Sequence, residues 1–268
     1  MRVAVIQCRS GADLATNQAQ LAELTAQAAE DGAQWVLLPE MCLCMDATQY
    51  VSIADDASIL SWFSALAQRH GIWLLAGAIP QPEPQPVPND EKNDQQRVRS
   101  ALLVFNPHGE LCERYDKVHL FDVDVTDTQG SYRESDRFSA GNEIKTVTTG
   151  ELSVGLSICF DLRFPSHYQQ LRRAGAQLLV VPAAFTHTTG QAHWEVLLRA
   201  RAIEQQCYVV AANQCGWHDE RRQTWGHSMI IDPWGKVLAE LNESIGFICA
   251  DIDLARMVDI RKRMPLRP

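Results

Sequence analysis

The sequence predicts an α/β fold, a four-layer α-β-β-α sandwich built from two pseudo-symmetric halves. Two observations predict it: the N-terminal half alternates strand-like and helix-like segments, and the second half repeats the same order. The first half opens with an apolar strand at 2–8, followed by an Ala-, Leu- and Gln-rich helix at 13–30 that stops near Gly32. A second strand covers 35–39, a second helix 57–69 and a third strand 72–79. Residues 81–96 hold prolines among polar residues and read as an exposed, mobile loop, because strand 98–105 continues the pattern beyond it. Asn106-Pro107-His108-Gly109 is a turn that sends strand 110–116 back as the second arm of a hairpin.

The second half matches in series. Val3 to Cys8 corresponds to Val154 to Cys159, and Gly32 to Pro39 to Gly175 to Pro182. Ile72 to Ala76 corresponds to Cys207 to Ala211, and Asn106 to Gly109 to Asp232 to Gly235. Each half is then β-α-β-α-β-β, with helices enough to cover one face of its sheet. The bare faces must bury each other, which stacks the layers α-β-β-α in one domain over residues 1–268. Strands between a helix layer and a second sheet should be apolar on both faces, as 178–182 and 207–212 are.

Composition narrows the function. The chain has 268 residues, 46% hydrophobic, enough for a full core. A net charge of −9 argues against a nucleic-acid or anionic-membrane partner. No stretch is long enough to span a membrane. Met1 to Gln7 is too short an apolar run for a secretory leader and reads as the first strand. The eight cysteines lack framework spacing, which fits reduced thiols in the cytoplasm. Cys42-Leu43-Cys44 has no second ligand pair, so no metal site is expected there.

Three segments put a reactive side chain at the end of an apolar run: Glu40 after Trp35 to Pro39, Lys117 after Arg114-Tyr115-Asp116, and Cys159 after Leu152 to Ile158. A carboxylate to take a thiol proton, a thiolate to attack and a cation to hold developing charge are the parts needed at an amide or nitrile carbon. Cys159 sits at a strand-to-helix turn, with Pro165 placed to open the helix. There it should be exposed on the sheet rim, near N–H groups that favour thiolate and receive an oxyanion, the N–H of Phe160 among them. The segment alone reads equally as a buried core cysteine. Glu40 gains weight from the repeat: its twin is Ala183, so the strand end does not itself require a charge. Lys117 ends a hairpin strand on the same rim, and Glu134, on the following loop, is a weaker candidate for an orienting carboxylate.

Phe185, Thr186, His187 and Thr188, on the loop leaving the strand beside Cys159, could line a pocket together with His193, near the start of a helix at 193–204. Glu195 and Arg199 form an i,i+4 pair on that helix. Arg163 is placed to grip a substrate carboxylate, and reads equally as a structural partner of Asp161 or of a helix carbonyl. Gly155-Leu156-Ser157-Ile158-Cys159 resembles a serine nucleophile elbow with its last glycine replaced, and Ser157 falls inside the strand. A binding scaffold without catalysis is the non-enzyme alternative.

In their order along the chain, the Glu40, Lys117 and Cys159 segments resemble the nitrilase, or carbon–nitrogen hydrolase, superfamily. The resemblance covers essentially the whole chain and is most specific at Leu38-Pro39-Glu40, Lys117 to Leu120, Cys159 to Pro165 and Gly226 to Gly235. Within it, Thr189 to Glu195 and Cys207 to Ala212 are most similar to the deaminated-glutathione amidases, with the omega-amidases that cleave 2-oxoglutaramate close behind. The resemblance implies Glu40 as general base, Lys117 as oxyanion stabiliser, Cys159 as nucleophile and Glu134 as second glutamate. It also implies a small amide substrate, no metal or organic cofactor, and a homodimer packed through helices. The chain departs from the family pattern in the length of the 81–96 insertion and in ending at Arg267-Pro268, short of the usual C-terminal tail.

Overall fold

The computed structural model describes residues 1–84 and 96–266, so the reading of 81–96 as a mobile loop falls largely outside the described residues. The first half runs β1 (Arg2–Gln7), α1 (Leu14–Glu30), β2 (Trp35–Leu37), α2 (Tyr50–Asp55), α3 (Ala57–His70), β3 (Trp73–Gln81), β4 (Arg99–Phe105) and β5 (Leu111–Asp116). A short ribbon of β6 (Asp122–Asp124) and β7 (Ser131–Arg133) follows. The first half closes with β8 (Thr146–Thr149), and the second half then runs β9 (Leu152–Gly155), α4 (Pro165–Arg173), β10 (Leu178–Ala183), α5 (His187–Gln205) and β11 (Tyr208–Asn213). It continues through a hairpin, β12 (Cys215–Trp217) and β13 (Gln223–Trp225), to β14 (Met229–Ile231), β15 (Val237–Glu240), β16 (Gly246–Asp251) and α6 (Leu254–Arg263).

The helices begin where the sequence offers a cap. Asp13 accepts the Thr16 N–H at the start of α1, and Asp56 accepts the Ser58 N–H at the start of α3. Gly71, at φ +61°, closes α3 in the left-handed conformation that glycine tolerates.

The two large sheets have the orders β16-β1-β2-β3-β4-β5 and β15-β14-β11-β10-β9-β8. In each, the first three strands of a half run parallel and the hairpin arms run antiparallel. Each sheet has six strands, five in sequence order from one half and one from the other. β8, following β5, edges the second sheet beside β9, and β16, following β15, crosses back to pair antiparallel with β1. The halves therefore exchange their outermost strands. This exchange was not read from sequence, since the Phe247 to Ala250 stretch alternates too weakly in burial to announce a strand. The two-helix count per half also falls short, because α2 and α6 add to it.

Side-chain alternation shows the layering. Val3, Val5, Trp35, Leu37, Leu75, Leu102 and Val104 face the second sheet in the largest core. Their neighbours Ala4, Ile6, Val36, Leu38, Leu74 and Leu103 face α1 and α3, packing with Leu21, Phe63 and Leu66. Every residue of β10 and of β11 is buried, as strands covered on both faces must be.

Two local expectations are corrected. The nucleophile strand ends at Gly155, and a 3-10 turn over Cys159–Arg163 separates it from α4. Helix α5 starts at His187, six residues before the expected start, so His187 and Thr188 are helical. Gly190 makes the early start possible: a Cβ there would lie 2.2 Å from Trp225, so only glycine lets this first turn pack against β13. The i,i+4 pair Glu195–Arg199 forms at 3.0 Å on the exposed side of α5.

Candidate active site

Three chain reversals at the carboxyl ends of β2, β5 and β9 deliver the acid, the amine and the thiol. The first passes through Met41 at φ +55°, directly after Glu40, and the third through Cys159 at φ +45°. A non-glycine residue in this region is strained, and here it is held by neighbours: Met41 N–H donates to Ala78 C=O at 3.0 Å. The effect is to turn each reactive side chain out of its strand toward the other two.

The side chains converge. Lys117 Nζ lies 2.8 Å from Glu40 Oε1 and 2.9 and 2.8 Å from the two oxygens of Glu134. Glu40 Oε2 accepts the Ala184 N–H at 2.9 Å, and Glu134 Oε2 accepts the Phe121 N–H at 2.6 Å. Both Glu40 and the Ala184 N–H act on the Cys159 thiol. All four line one cavity of about 360 Å³, together with Phe160, Phe185 and Thr186. Cys159 is only 7% exposed, so the thiol opens on this cavity and not on the outer rim.

Electrostatics follow from burial. The Lys117 ammonium is disfavoured by burial, but Glu134 and Glu40 outweigh that and hold it well above the ordinary lysine value. Glu134 is shifted up, chiefly by burial, against the pull of Lys117. Burial pushes the Cys159 thiol well up, Glu40 pushes it the same way, and Lys117 only partly opposes them. Burial and Glu40 thus oppose the thiolate that the N–H groups of the turn were expected to favour, and the expected proton acceptor, Glu40, lines the same cavity.

Asp161, fully buried two residues past Cys159, ties the nucleophile segment to the lysine segment. Its Oδ2 accepts the Ile158 N–H at 2.9 Å and the Tyr115 O–H at 2.7 Å. Its Oδ1 accepts the His119 N–H at 3.0 Å and faces His119 Nδ1 at 2.7 Å. Burial opposes its charge, yet His119, His167 and Tyr115 hold the carboxyl below its usual range. His119, Asp161 and His167 offer ligand atoms within 4.8 Å of one another, a spacing compatible with a metal. Both Asp161 oxygens are already occupied by two neighbours each, so an ion would have to displace the bonds that hold the turn.

The sequence missed the residues that pin this rim from the far sheet. Gln214 donates to Glu40 C=O at 3.0 Å and to Ser10 Oγ at 2.8 Å, and Asn213 Oδ1 accepts the Phe185 N–H at 2.9 Å. The available signal was a pair of amides ending an apolar strand. Also missed were the lining residues Tyr50, Phe121, Tyr132, Phe138 and Arg222. Arg163 and His193 are not among the lining residues. The Arg163 guanidinium lies 5.0 Å from the Phe185 ring centre and 3.2 Å from His193 Nδ1, with no pairing to Asp161.

The family model for carbon-nitrogen hydrolases matches residues 2–262. The chain belongs to the carbon–nitrogen hydrolase family. It is 38% identical to the deaminated glutathione amidase of Yersinia enterocolitica over 98% of this chain and 91% of that protein. The NitFhit protein of C. elegans superposes with a TM-score of 0.88 at 38% identity, covering 98% of this chain and 63% of that one. A mutant amidase from Nesterenkonia sp. AN1, in which acrylamide has added to the active site cysteine, superposes at 0.78 with 25% identity over 98% of each chain. The protein is an enzyme of carbon–nitrogen bond hydrolysis with the α-β-β-α sandwich of the nitrilase superfamily. No helix among the described residues is long and apolar enough to cross a membrane.

Proposed function

We propose that this protein is an amidase that hydrolyses a small linear amide through a thioester on Cys159, releasing the acid and the amine of the amide, with deaminated glutathione, whose leaving amine is a dipeptide, as the leading substrate. The observation that carries the reading is the meeting of Glu40, Lys117 and Cys159 in one cavity, with Glu134 behind the lysine. The relatives named deaminated glutathione amidase, matched over nearly the full chain, support the choice of acyl group.

As the sulfur attacks the amide carbon, Glu40 takes its proton, so the thiolate is made only when an electrophile is present. The carbonyl oxygen gains the charge. Lys117 answers it by releasing one of its two contacts to Glu134, and a donor so placed is worth about 3–4 kcal/mol. Glu40 then gives its proton to the amide nitrogen, the C–N bond breaks, and the amine, which is ammonia for a primary amide, departs from the thioester. A water molecule loses a proton to Glu40 and attacks the thioester, the C–S bond breaks, and the sulfur recovers its proton. Glu134 keeps Lys117 charged and fixed through the cycle. No metal or organic cofactor enters these steps.

The same reading extends to setting and assembly. A reducing, cytoplasmic environment suits eight unpaired cysteines. A homodimer through α5 suits its exposed Val196, at 68%, and Ile203, with Trp234 beside them at 59%. The test is release of acid and dipeptide from deaminated glutathione and of ammonia from 2-oxoglutaramate, simple aliphatic amides and a nitrile, with mass spectrometry for an acyl adduct. Cys159→Ala should remain folded and inactive, and Glu40→Gln should lose both acylation and deacylation. Full turnover by Cys159→Ala, or preference for the nitrile, would reject this function.

A further inference from the structure

The nucleophile stands in a turn that cannot hold itself. Cys159 opens the 3-10 turn Cys159–Arg163 with its own φ at +45°, a conformation that persists only where surrounding groups enforce it. Within this segment Ile158 C=O accepts the Asp161 N–H and Asp161 C=O accepts the Phe164 N–H, both at 3.0 Å. The corresponding bond to Leu162 C=O would come from residue 165. That residue is proline, which has no N–H to give, so the carbonyl of the buried Leu162 is left for another donor.

The donor is Arg201, on the buried side of α5. Its Nε and one terminal nitrogen both donate to Leu162 C=O, at 3.1 and 2.9 Å, and its other terminal nitrogen donates to Glu204 at 2.9 Å. The guanidinium lies 5.5 Å from the centre of the Tyr168 ring. The Tyr168 hydroxyl donates to Ser157 Oγ at 2.7 Å, because the Ser157 hydroxyl gives its own proton to Val180 C=O at 2.6 Å. The chain is thus gripped both before the sulfur, at Ser157, and after it, at Leu162. Ser157 itself is fully buried, an anchor of the turn and not a second nucleophile.

Stability does not account for a cation in this place. Burying a charge is costly, and a buried ion pair exchanged for apolar side chains of similar size is often neutral or better. The Glu204 side chain is 48% exposed, so its pairing with Arg201 contributes little. What the charge does reach is one carbonyl of the nucleophile turn. Helix α5 also begins directly after Phe185 and Thr186, so it joins the cavity wall to that turn.

We propose that Arg201 is a positioning residue for the nucleophile: through Leu162 C=O it holds the turn that keeps Cys159 in the left-handed conformation and its sulfur in the cavity with Glu40 and Lys117. This goes beyond the amidase reading and rests on it for the role of Cys159.

The test compares Arg201→Met, Arg201→Lys and Glu204→Gln in the full-length enzyme, by kcat and KM for the best amide of the substrate panel. Arg201→Met keeps the length of the side chain and loses every donor. Its kcat should fall about 10²-fold, the order expected when a reacting group moves by about 1 Å, with KM changed only a few-fold. Arg201→Lys keeps the charge, loses the paired donors and should fall between. Glu204→Gln leaves both bonds to Leu162 C=O in place and should keep the wild-type kcat. A crystal structure of Arg201→Met should show Cys159 released from positive φ. A folded Arg201→Met enzyme with wild-type kcat overturns the proposal, as does an equal loss in Glu204→Gln or a turn that stays unmoved with Cys159 at positive φ. Should Arg201→Met fail to fold, Arg201→Lys decides: a lowered kcat at constant KM supports the role, and an unchanged kcat overturns it. Wild-type enzyme that hydrolyses no amide would remove the amidase reading instead, and the φ of Cys159 in the variant would still test the grip.

Discussion

Asp161→Asn is the substitution that best separates a catalytic frame from a merely stable one. The carboxylate accepts from Ile158 N–H, Tyr115 O–H and His119 N–H, and faces His119 Nδ1. An ionised carboxylate only accepts, so the His119 ring nitrogen must carry the fourth proton. An asparagine has one oxygen and one NH₂. If the NH₂ faces Ile158 and Tyr115, the tyrosine hydroxyl can turn to accept, but the Ile158 N–H is orphaned. If it faces His119, the ring can switch tautomer, but the His119 N–H is orphaned. Either way one buried backbone N–H loses its partner, at about 1–3 kcal/mol, and the surviving bonds lose their charge assistance. Relief of the buried charge offsets part of this, so we expect a net loss of about 2–4 kcal/mol.

Stability alone does not test the role. Asp161 bonds the residue before Cys159 and the residues two before and two after Lys117, so it fixes the spacing of nucleophile and cation. Misplacement by about 1 Å can cost on the order of 10²-fold in rate. We therefore expect kcat to fall about 10²-fold, with KM changed only a few-fold, at temperatures where the variant is fully folded. Urea unfolding supplies the stability term and steady-state ammonia release the kinetic one. A variant with a lowered urea midpoint and a wild-type kcat would refute the positioning role.

The remaining predictions address the thiol, the rim and the helix face. Alkylation of Cys159 by iodoacetamide should still be rising at pH 9, because burial and Glu40 hold the thiol above its ordinary value. Removing the carboxylate in Glu40→Gln lowers that value, so the alkylation profile should move to lower pH, while Lys117→Met should move it higher. Opposite movements would refute the charge assignment. Gly77→Ala would put a Cβ 2.0 Å from Leu38 C=O, 2.8 Å from Pro39 C=O and 2.6 Å from Pro182 Cβ, and must displace the segment leading into Glu40. It should cost about 1–3 kcal/mol or more in urea unfolding and lower kcat as well. Val196→Asp, on the exposed face of α5, should yield monomer by sedimentation if that face joins two copies.

The repeat made the sandwich legible because it lies in strand order and apolar runs, which a sequence displays directly. The same feature hid β8 and β16, which belong to the sheet of the opposite half and so fall outside the repeated unit. Glu40, Lys117 and Cys159 were readable as reactive groups at strand ends, and a common rim follows from parallel strands. Arg222, in the cavity wall, was not. It stands in His218-Asp219-Glu220-Arg221-Arg222, where adjacent charges look like any solvated turn, and only the bonds of His218 and Thr224 turn that hairpin into the cavity. The burial of the thiol was hidden for a related reason. A turn after a strand suggests helix N–H groups around the sulfur, but it does not show how completely the opposite sheet withdraws the sulfur from water.

The duplicated fold also explains why such a site needs both halves. Ligand sites in α/β sheets gather at the carboxyl ends of parallel strands. Here two such ends are set together by the pseudo-twofold, Pro39-Glu40 after β2 and Pro182-Ala183 closing β10. The equivalent positions diverge in chemistry, acid in one and methyl in the other, and the two are joined by the Ala184 N–H on Glu40 Oε2. A second acid at Ala183 would bury a charge in the core between the sheets. A methyl at position 40 would remove the proposed base. Asymmetry at a symmetric junction therefore supplies one proton acceptor and one backbone donor, and the close approach that brings them together depends on Gly77 lacking a side chain.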